Sequence, residues 1–493
     1  MTQNVTTPTP TKDLFTRTEL FIAGHWTSSP TRGTIEIVDP YSEEVIGTVP
    51  EANAADTDAA VAAAVEAMRD NPWQRMSFIE RGDVLARVAE LIRERSAELD
   101  VTYIRDLGGP RSFAPFISSQ TADIFAVHRQ FAEQLQDKEW RETVGERNLL
   151  LREPVGPVLS IVPWNAPLVL AAVKLAPALL AGCPVVMKAA SEDPSVSFVL
   201  AEILEAAGIP AGMVSILPGD PEALGNIAAR PEFAHIAFTG STASGRRIMH
   251  AAADNITDVV LELGGKSAGI FLDDLDPVQG AGMVIPGSLA QSGQVCTTYS
   301  RLLIPASRRE EWIATLIGTF QALPMGDPNE PGTVLGPLIS AEHRATVEGF
   351  IQSARDEGAT ILTGGKRPDL PTGYFVEPTL ITDVTADMRI VREEVFGPVI
   401  TVQTYNDLDE AVEIANSSEF GLGAGIFTAD VDAGLALAPR LQAGNIAINN
   451  FGACLAQPFG GYKNSGLGRE GGTENVEHLL AYKQVRMPMQ LPM

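Results

Sequence analysis

Three residues stand out because their side chains and neighbours are suited to chemistry. Cys296 lies in the polar segment QSGQVCTT, and a thiolate in such a place is a strong nucleophile. Glu262 ends an apolar run before two glycines, where burial would raise the pKa of its carboxyl and make it a general base. The amide of Asn165, in the segment PWNAP, could hydrogen-bond a developing oxyanion. Taken singly, each also has an ordinary interpretation, as a structural thiol, a strand-end cap and an Asx-turn residue.

A glycine- and hydroxyl-rich segment, FTGSTASG at 238–245, runs from a predicted strand into a predicted helix. Free backbone N–H groups at such a helix start bind a pyrophosphate. The segment departs from the usual GxGxxG pattern. In a second candidate, GDPEALG at 219–225, Pro221 occupies the middle glycine position. Either segment could instead be an ordinary turn between a strand and a helix.

Short β-rich runs alternate with helical stretches from Leu149 onward, and this alternation would position the candidate residues. Strands are predicted at Val158–Val162, Pro184–Lys188, Val214–Leu217, His235–Phe238 and Val259–Leu263. Helices are predicted at Leu168–Leu180, Val196–Ala207, Pro221–Ala229 and Ala243–Ala252. One strand and one helix every 20–30 residues or so predicts a parallel sheet covered on both faces, which is a Rossmann-like α/β layout.

The rest of the chain suggests further units, as its 493 residues require. Near the N-terminus we predict strands at Leu20–Trp26 and Ile35–Val38 and helices at Ala54–Arg69, Arg81–Thr102 and Ala122–Leu135. A second α/β segment follows Gly264, with helices at 341–357 and 408–416 and strands at 399–405 and 445–449. The segment Glu139–Arg152 predicts a hairpin and Tyr482–Gln490 an edge strand. Exposed edges are usually covered, so we expect subunits to pair there.

Composition excludes several classes of partner. The net charge of −26 repels phosphate backbones and anionic lipid, so we expect neither nucleic acid nor a membrane surface as a partner. Three widely spaced cysteines, and an N-terminus that does not resemble a signal peptide, favour a cytoplasmic location. The apolar stretch Pro167–Met187 contains a lysine and two further prolines, which is typical of buried structure rather than a membrane span. Six scattered histidines show no metal-ligand spacing, so we expect no metal in catalysis.

Seven motifs, in register over nearly the whole chain from Leu20, resemble those of the aldehyde dehydrogenase superfamily. They are PWN at 163–165, Lys188, FTGS at 238–241, LELGG at 261–265, GQVC at 293–296, EEVFGP at 393–398 and PFGGYKNSGLGRE at 458–470. The resemblance implies an NAD(P)-dependent oxidation of an aldehyde through a thioester.

The resemblance also implies roles for individual residues. Cys296 would attack the aldehyde, and the Asn165 amide with the Cys296 N–H would hold the oxyanion. Glu262 would activate the hydrolytic water, and Lys174 and Glu470 would carry protons to solvent. A larger set would bind the cofactor: Val162, Pro163, Trp164, Lys188, Ser191, Gly225, Phe238, Thr239, Gly240, Ser241, Leu263, Glu394 and Phe396.

Two departures from the family pattern bear on specificity. Ser191 stands where many NAD-preferring members carry a glutamate that binds the ribose 2′-hydroxyl, so we expect NADP to be tolerated alongside NAD, although Glu192 could substitute. Small side chains stand at substrate-tunnel positions that are often aromatic in members acting on small aldehydes. These positions are Ala166, Val173 and Ala290, with Leu170 nearby and Phe459 still aromatic, so we expect a bulky or long apolar aldehyde: aromatic, terpenoid or aliphatic. We find no aromatic box for a quaternary ammonium group.

The predicted architecture has three parts. These are an NAD(P)-binding Rossmann-like domain at 14–136 and 155–263, an α/β catalytic domain at 264–464, and a small β oligomerisation element at 137–154 and 480–493. The family forms homodimers and homotetramers, and the sequence does not choose between them. Two rival functions remain: a coenzyme A-acylating semialdehyde dehydrogenase, which often lacks the base that Glu262 supplies here, and a non-catalytic dinucleotide-binding protein.

Overall fold

A computed structural model describes residues 13–29, 31–144, 146–452 and 454–488. Its largest sheet has eight strands, and the five central strands are parallel. In spatial order the strands are His25–Thr27, Leu20–Ile22, Val214–Pro218, Val185–Ala189, Val158–Ile161, His235–Thr239, Asp258–Glu262 and Gly466–Leu467. The parallel strands thus follow the order third, second, first, fourth, fifth along the chain, which is the Rossmann order. The expected parallel, Rossmann-like sheet is confirmed.

Helices cover both faces of this sheet. They are Ala54–Arg69, Pro72–Arg75, Phe78–Glu94, Ser96–Arg105, Ala114–Gln134, Pro167–Ala181, Ser195–Ala206, Thr242–Ala253 and Gly472–His478. The helix Pro167–Ala181 is buried over nearly its whole length, because its side chains are apolar all round apart from Lys174. Among the described residues no helix is long and apolar enough to cross a membrane.

A second sheet of seven strands forms the α/β unit that follows Gly264. In spatial order its strands are Thr360–Thr363, Thr379–Thr382, Val399–Tyr405, Arg301–Pro305, Ala268–Phe271, Gly423–Phe427 and Asn445–Ile448. All are parallel except the first, and the helices are Pro277–Leu289, Arg309–Gln321, Ala341–Asp356, Arg389–Arg392, Leu408–Asn416 and Val431–Leu437. Two antiparallel pairs, Gly33–Val38 with Val45–Glu51 and Phe420–Gly421 with Tyr462–Lys463, lie outside these two large sheets.

A three-stranded antiparallel sheet forms the third part. The strands Lys138–Thr143 and Glu146–Pro154 make the predicted hairpin, and Leu480–Pro488 pairs with the second of them over its full length. Trp140, Tyr482 and Val485 leave apolar surface exposed on this sheet. The end of the predicted edge strand, and residues 489–493 of the predicted oligomerisation element, lie outside the described residues.

Three predicted helices differ from the structure, and one of them, predicted at Ala122–Leu135, begins eight residues earlier and spans Ala114–Gln134. Arg81–Thr102 is not one helix, because the chain breaks at Arg95 (φ −106°, ψ 15°) between the helices Phe78–Glu94 and Ser96–Arg105. The prediction of a helix at Pro221–Ala229 is also wrong, since only the 3-10 turn Ile227–Ala229 forms there. Gly225 and Asn226 take φ of 63° and 55°, left-handed values that stop a right-handed helix.

Candidate active site

The central strands of the eight-stranded sheet open a groove at their carboxyl ends. The chain order reverses between Val158–Ile161 and His235–Thr239, and ligands bind at such a switch point in parallel sheets. The groove has a volume of about 500 Å³. Its wall includes the predicted cofactor residues Val162, Pro163, Trp164, Lys188, Phe238, Thr239, Gly240 and Ser241.

The helix Thr242–Ala253 begins at the edge of this groove. Ser241 is its N-cap, and the Ser241 Oγ accepts a hydrogen bond from the Ser244 N–H at 3.2 Å. Gly245 lets the helix approach the sheet closely, because a Cβ there would lie 2.6 Å from a methyl group of Leu263. The unpaired N–H groups and dipole of the first turn therefore face a space that suits a phosphate.

Charged side chains lie near the far end of the groove. Lys188 and Glu192 line it, whereas Ser191 and Gly225 do not, and the Ser191 hydroxyl donates to Asp220 Oδ1 at 3.3 Å. Burial lowers the pKa of Lys188, while Glu192 and Asp220 oppose that shift. Arg247, which the sequence analysis did not single out, also lines the groove. This end of the groove thus contains charges of both signs.

The segment before Cys296 has an unusual backbone. Gln291, Ser292 and Gly293 take φ of 51°, 56° and 76°, so three consecutive residues are left-handed. A Cβ on Gly293 would collide with the carbonyl oxygen of Gly397, so a glycine is required there on two grounds. Strained backbone of this kind persists only where its surroundings hold it.

Side chains of this segment form the hydrogen bonds that hold it. The Ser292 hydroxyl donates to the Gly336 carbonyl at 2.7 Å, and Gln294 Oε1 accepts from the Ile339 N–H at 3.0 Å. The Gln291 side-chain amide donates to the backbone carbonyl of Asn165. The left-handed segment is therefore tied both to the loop at 336–339 and to the segment that carries Asn165.

Asn165 and Cys296 line one cavity of about 260 Å³. Asn165 Nδ2 donates to the Gln294 carbonyl at 3.0 Å, which orients the amide and leaves its second N–H for another acceptor. The remaining wall is Pro163, Trp164, Leu170, Thr239, Gly240, Ser241, Leu263, Gly264, Glu394 and Phe396. Because Pro163, Trp164, Thr239, Gly240 and Ser241 line both spaces, this cavity continues the groove.

Burial and negative charge keep the Cys296 thiol protonated. Burial contributes most, and Glu394 and Glu262 add to it, so that the pKa of the thiol rises to about 12. A thiol in this environment could act as a nucleophile at neutral pH only after a base removes its proton.

Glu262 lies near this cavity but does not line it. Neither of its carboxylate oxygens has a hydrogen-bond partner in the described part of the chain, and a Cβ on Gly460 would lie 2.7 Å from Oε1. Burial, and then the charge of Glu470, raise the pKa of Glu262 well above its ordinary value, while Lys174 and Arg469 oppose that rise. A carboxyl with a raised pKa is suited to accept a proton near neutral pH.

A buried ion pair adjoins Glu262. Lys174 Nζ lies 2.5 Å from Glu470 Oε1 and donates to the Thr239 hydroxyl at 2.7 Å. Both charged side chains are almost fully buried. Lys174, Glu470 and Glu262 therefore form one cluster of titratable groups behind the cavity.

Glu394 and Phe396 close the cavity on the side of the seven-stranded sheet. Glu394 Oε1 accepts from the Gly265 N–H at 3.1 Å, and burial raises the pKa of Glu394 to about 7. The Phe396 ring centroid lies 5.5 Å from that of Trp164. His343, which sequence reasoning missed, packs on both rings, and its Nε2 lies 2.7 Å from the Phe396 carbonyl oxygen.

The predicted substrate residues are distributed unevenly. Leu170 lines the cavity with Cys296. Within the described chain, Ala166, Val173 and Phe459 do not line it: Val173 packs in the apolar core, and Phe459 pairs through its backbone with Glu470. A second, mostly apolar cavity of about 230 Å³ lies between the helix Ala114–Gln134 and residues 454–456, and sequence reasoning missed it.

Comparisons with known proteins agree with this geometry. The family model described as "Aldehyde dehydrogenase family" matches residues 26–485. The geranial dehydrogenase of Castellaniella defragrans is 39% identical over 94% of this chain and 98% of its own. The chloroplastic betaine aldehyde dehydrogenase of Amaranthus hypochondriacus is 39% identical over 95% of each chain. A crystal structure of a Mycobacterium tuberculosis aldehyde dehydrogenase complexed with NAD+ has 38% identity and a TM-score of 0.94, covering 97% of this chain and 100% of that one. The chain belongs to the aldehyde dehydrogenase family.

Proposed function

We propose that this chain oxidises a bulky or long apolar aldehyde to a carboxylic acid with NAD+, through a thioester on Cys296. The observation that carries the proposal is the single cavity that brings the Cys296 thiol and the Asn165 amide together. Most of its other side chains are apolar: Pro163, Trp164, Leu170, Leu263 and Phe396.

The groove fits a dinucleotide. Its volume and that of the adjoining cavity are typical of cofactor sites, and a helix start faces the place of a phosphate. We assign Lys188 to the adenosine ribose, Trp164 and Ser241 to the pyrophosphate, and Glu394 to the nicotinamide ribose, with Phe396 packed against that end. When bound, NAD+ supplies the hydride acceptor.

Cys296 carries the covalent chemistry in this proposal. A base removes the thiol proton, and the thiolate sulfur adds to the aldehyde carbon. The second Asn165 N–H and the Cys296 N–H hold the oxyanion that results. Loss of the aldehyde hydrogen with its electron pair leaves a thioester on Cys296, and water then releases the carboxylic acid and the thiolate.

Glu262 accepts the proton of that water. Its carboxylate lies next to Gly460 and off the cavity wall, so it reaches the thioester by rotation of its own side chain. Lys174 and Glu470 lie directly behind it and provide the route by which the proton leaves. The raised pKa of Glu262 and the buried ion pair both support these roles.

NAD+ is the preferred cofactor, and NADP+ is accepted less well. Ser191 contributes no carboxylate, but Glu192 lines the groove in its place and would repel a 2′-phosphate. Arg247 lines the same groove, and its positive charge would attract a 2′-phosphate. We therefore expect the efficiency with NAD+ to exceed that with NADP+ by less than about 1,000-fold, or roughly 4 kcal/mol.

An apolar aldehyde fits this site better than a cationic one. Asp123 is the carboxylate that lines the second apolar cavity, and its Oδ1 is paired with Arg93 at 2.8 Å, which opposes its use for an ammonium group. Of the predicted tunnel residues, Leu170 lines the cavity with Cys296 and adds to its apolar wall. The name of one relative, a geranial dehydrogenase, agrees with an apolar substrate. The name of another, a betaine aldehyde dehydrogenase, indicates a cationic one.

The remaining assignments follow the sequence. We propose the domain bounds predicted above, with two segments added to the NAD(P)-binding domain. The strand Gly466–Leu467 joins the sheet of that domain, and the helix Gly472–His478 packs on its helix Pro167–Ala181. We propose a homodimer or homotetramer that covers the exposed apolar side chains of the three-stranded sheet. We propose a cytoplasmic location, since all three cysteines are free.

A steady-state panel tests the substrate and the reaction. Decanal, benzaldehyde, acetaldehyde and betaine aldehyde are compared with NAD+, with and without coenzyme A. We expect the highest kcat/KM for decanal or benzaldehyde, and a free acid as product in every case. A higher kcat/KM for acetaldehyde or betaine aldehyde would refute the apolar class, and a coenzyme A thioester as product would refute hydrolysis.

Mass spectrometry of single turnovers should find the acyl group on Cys296, and its absence there would exclude the thioester.

A further inference from the structure

A cluster of two imidazoles and one carboxylate lies at the amino ends of two strands of the eight-stranded sheet, whereas the cavity lies at their carboxyl ends. His235 Nδ1 lies 2.7 Å from Asp258 Oδ2, and His478 Nε2 lies 2.8 Å from the same oxygen. The three donor atoms all lie within 4.8 Å of one another. The proposed aldehyde chemistry makes no use of these residues.

Three elements position the cluster. His235 and Asp258 are the first residues of neighbouring parallel strands and are direct partners in their register. His478 is the last residue of the helix Gly472–His478, and the carbonyl of the next residue, Leu479, accepts a hydrogen bond from the Val155 N–H at 3.1 Å. The strand of His235 ends at Thr239 beside the cavity, so about 13 Å of rigid strand separates the cluster from the site.

We propose that His235, Asp258 and His478 bind a divalent transition metal ion of the zinc class. Imidazole nitrogen and carboxylate oxygen are ligands that Zn²⁺ takes at about 2.0–2.2 Å, and in a tetrahedral site such donors lie about 3.4 Å apart. The present separations of 2.7 and 2.8 Å need to grow by only about 0.6–0.7 Å.

The exposure of the three side chains allows this adjustment. The His235 side chain is 3% exposed and held in the sheet, whereas those of Asp258 and His478 are 50% and 37% exposed and free to shift. Water can complete the coordination from the exposed side, giving a three-ligand site with an open position. Imidazole nitrogens suit Zn²⁺ or Ni²⁺ better than Ca²⁺ or Mg²⁺.

An ion at this position would tie the helix Gly472–His478 to the sheet. The final strand Leu480–Pro488 begins two residues after His478, so the ion would also fix where that strand starts. The chain's net charge of −26 raises the local concentration of cations. We therefore expect the ion to stabilise the fold while the chemistry at Cys296 proceeds without it.

Calorimetric titration of the full-length protein with ZnCl₂ tests the proposal. The variants are His478→Gln, which removes an exposed ligand at a helix end, and His250→Gln as a matched control on the exposed face of the helix Thr242–Ala253. We expect wild type and H250Q to bind Zn²⁺ equally and H478Q to bind it about 100-fold more weakly or worse. Zn²⁺ should raise the Tm of wild type and H250Q but not of H478Q. Equal affinity or an equal Tm shift in all three proteins would overturn the proposal.

Two further measurements locate the ion, because Cys296 offers a competing thiol. Co²⁺ in the cluster should give only the weak d–d bands of nitrogen and oxygen ligands, whereas an intense sulfur charge-transfer band would place the ion on a cysteine and refute the site. Crystals grown with Zn²⁺ should show an anomalous peak between His235, Asp258 and His478. Intact His–Asp hydrogen bonds without a peak would show that the cluster holds itself together by hydrogen bonds and refute the metal site.

Discussion

Neutralising either member of the Lys174–Glu470 ion pair should shift the pKa of Glu262, and the two changes should act in opposite directions. The charge of Glu470 raises the pKa of Glu262, and the charge of Lys174 lowers it. Glu470→Gln should therefore lower the pKa of Glu262, and Lys174→Met should raise it. Because a carboxyl accepts a proton only when it is deprotonated, the hydrolysis proposed for Glu262 should appear at lower pH in E470Q and at higher pH in K174M.

The structure sets the size of these shifts. Glu470 exchanges backbone hydrogen bonds with Phe459, the neighbour of the Gly460 that faces Glu262, so the two carboxylates belong to adjacent segments of the chain. Two unit charges on the order of 7 Å apart at an effective dielectric constant of 20 interact by about 2.4 kcal/mol, or about 1.7 pKa units. The effect of Lys174 is smaller than that of Glu470. We expect a fall of one to two units or so in E470Q and a rise of about one unit in K174M.

The rate of thioester hydrolysis measures this directly. Acyl-enzyme is formed in a single turnover and its decay is followed by rapid mixing from about pH 5 to pH 9, where the rising limb reports the pKa of Glu262. Glu474→Gln, which neutralises an exposed carboxylate of the helix Gly472–His478, is the control and should leave the limb in place. Shifts of the same sign in E470Q and K174M, or an equal shift in E474Q, would refute the electrostatic argument.

Three further predictions follow from single contacts. Asn165→Ala should slow thioester formation by about 100- to 1,000-fold in single turnovers while the KM for NAD+ stays nearly constant, and an unchanged rate would remove the amide from the oxyanion site. Glu192→Gln should raise kcat/KM for NADP+ relative to NAD+ by about tenfold, because one carboxylate is removed from the groove. An unchanged ratio would contradict the placement of Glu192 beside the cofactor. Gly293→Ala should lower the free energy of unfolding by about 1–3 kcal/mol, because φ is 76° at this position and the new Cβ would collide with Gly397. Denaturant unfolding measures this, with Gly282→Ala, in open space on a helix, as the control. Equal stabilities of the two variants would refute the strain at Gly293.

Local signals predicted many of the elements but not all of their ends. The bounds predicted for Ala54–Arg69 match the structure, where Asn53 and Asp56 form a capping box at the start of the helix. The break at Arg95 was missed because apolar residues continue at helical spacing across it. At Pro221–Ala229 the helical interpretation underestimated Gly225 and Asn226, whose left-handed backbone prevents a helix.

In the candidate site, too, local signals indicate some features and miss others. Cys296, Asn165 and Glu262 could be selected because each stands in a recognisable local motif, and the structure places the first two on one cavity. No local signal showed that the chain after Lys188 would turn Ser191 toward Asp220 and leave Glu192 on the groove. His235 and His478 are more than 200 residues apart, and only the sheet register and the path of the last described helix bring them together.

The pairing of Leu480–Pro488 with Glu146–Pro154 has a consequence for biosynthesis. Lys483 and Glu153 lie 330 residues apart yet form an ion pair across these two strands. At a synthesis rate of about 5–20 residues per second, the hairpin leaves the ribosome roughly 20 to 60 s before its third strand exists. During that interval an edge nine residues long is unpaired, and a nascent chain on the same messenger could pair with it wrongly. Chaperone binding to ribosome-bound chains should therefore begin near residue 154 and end only when the last strand emerges.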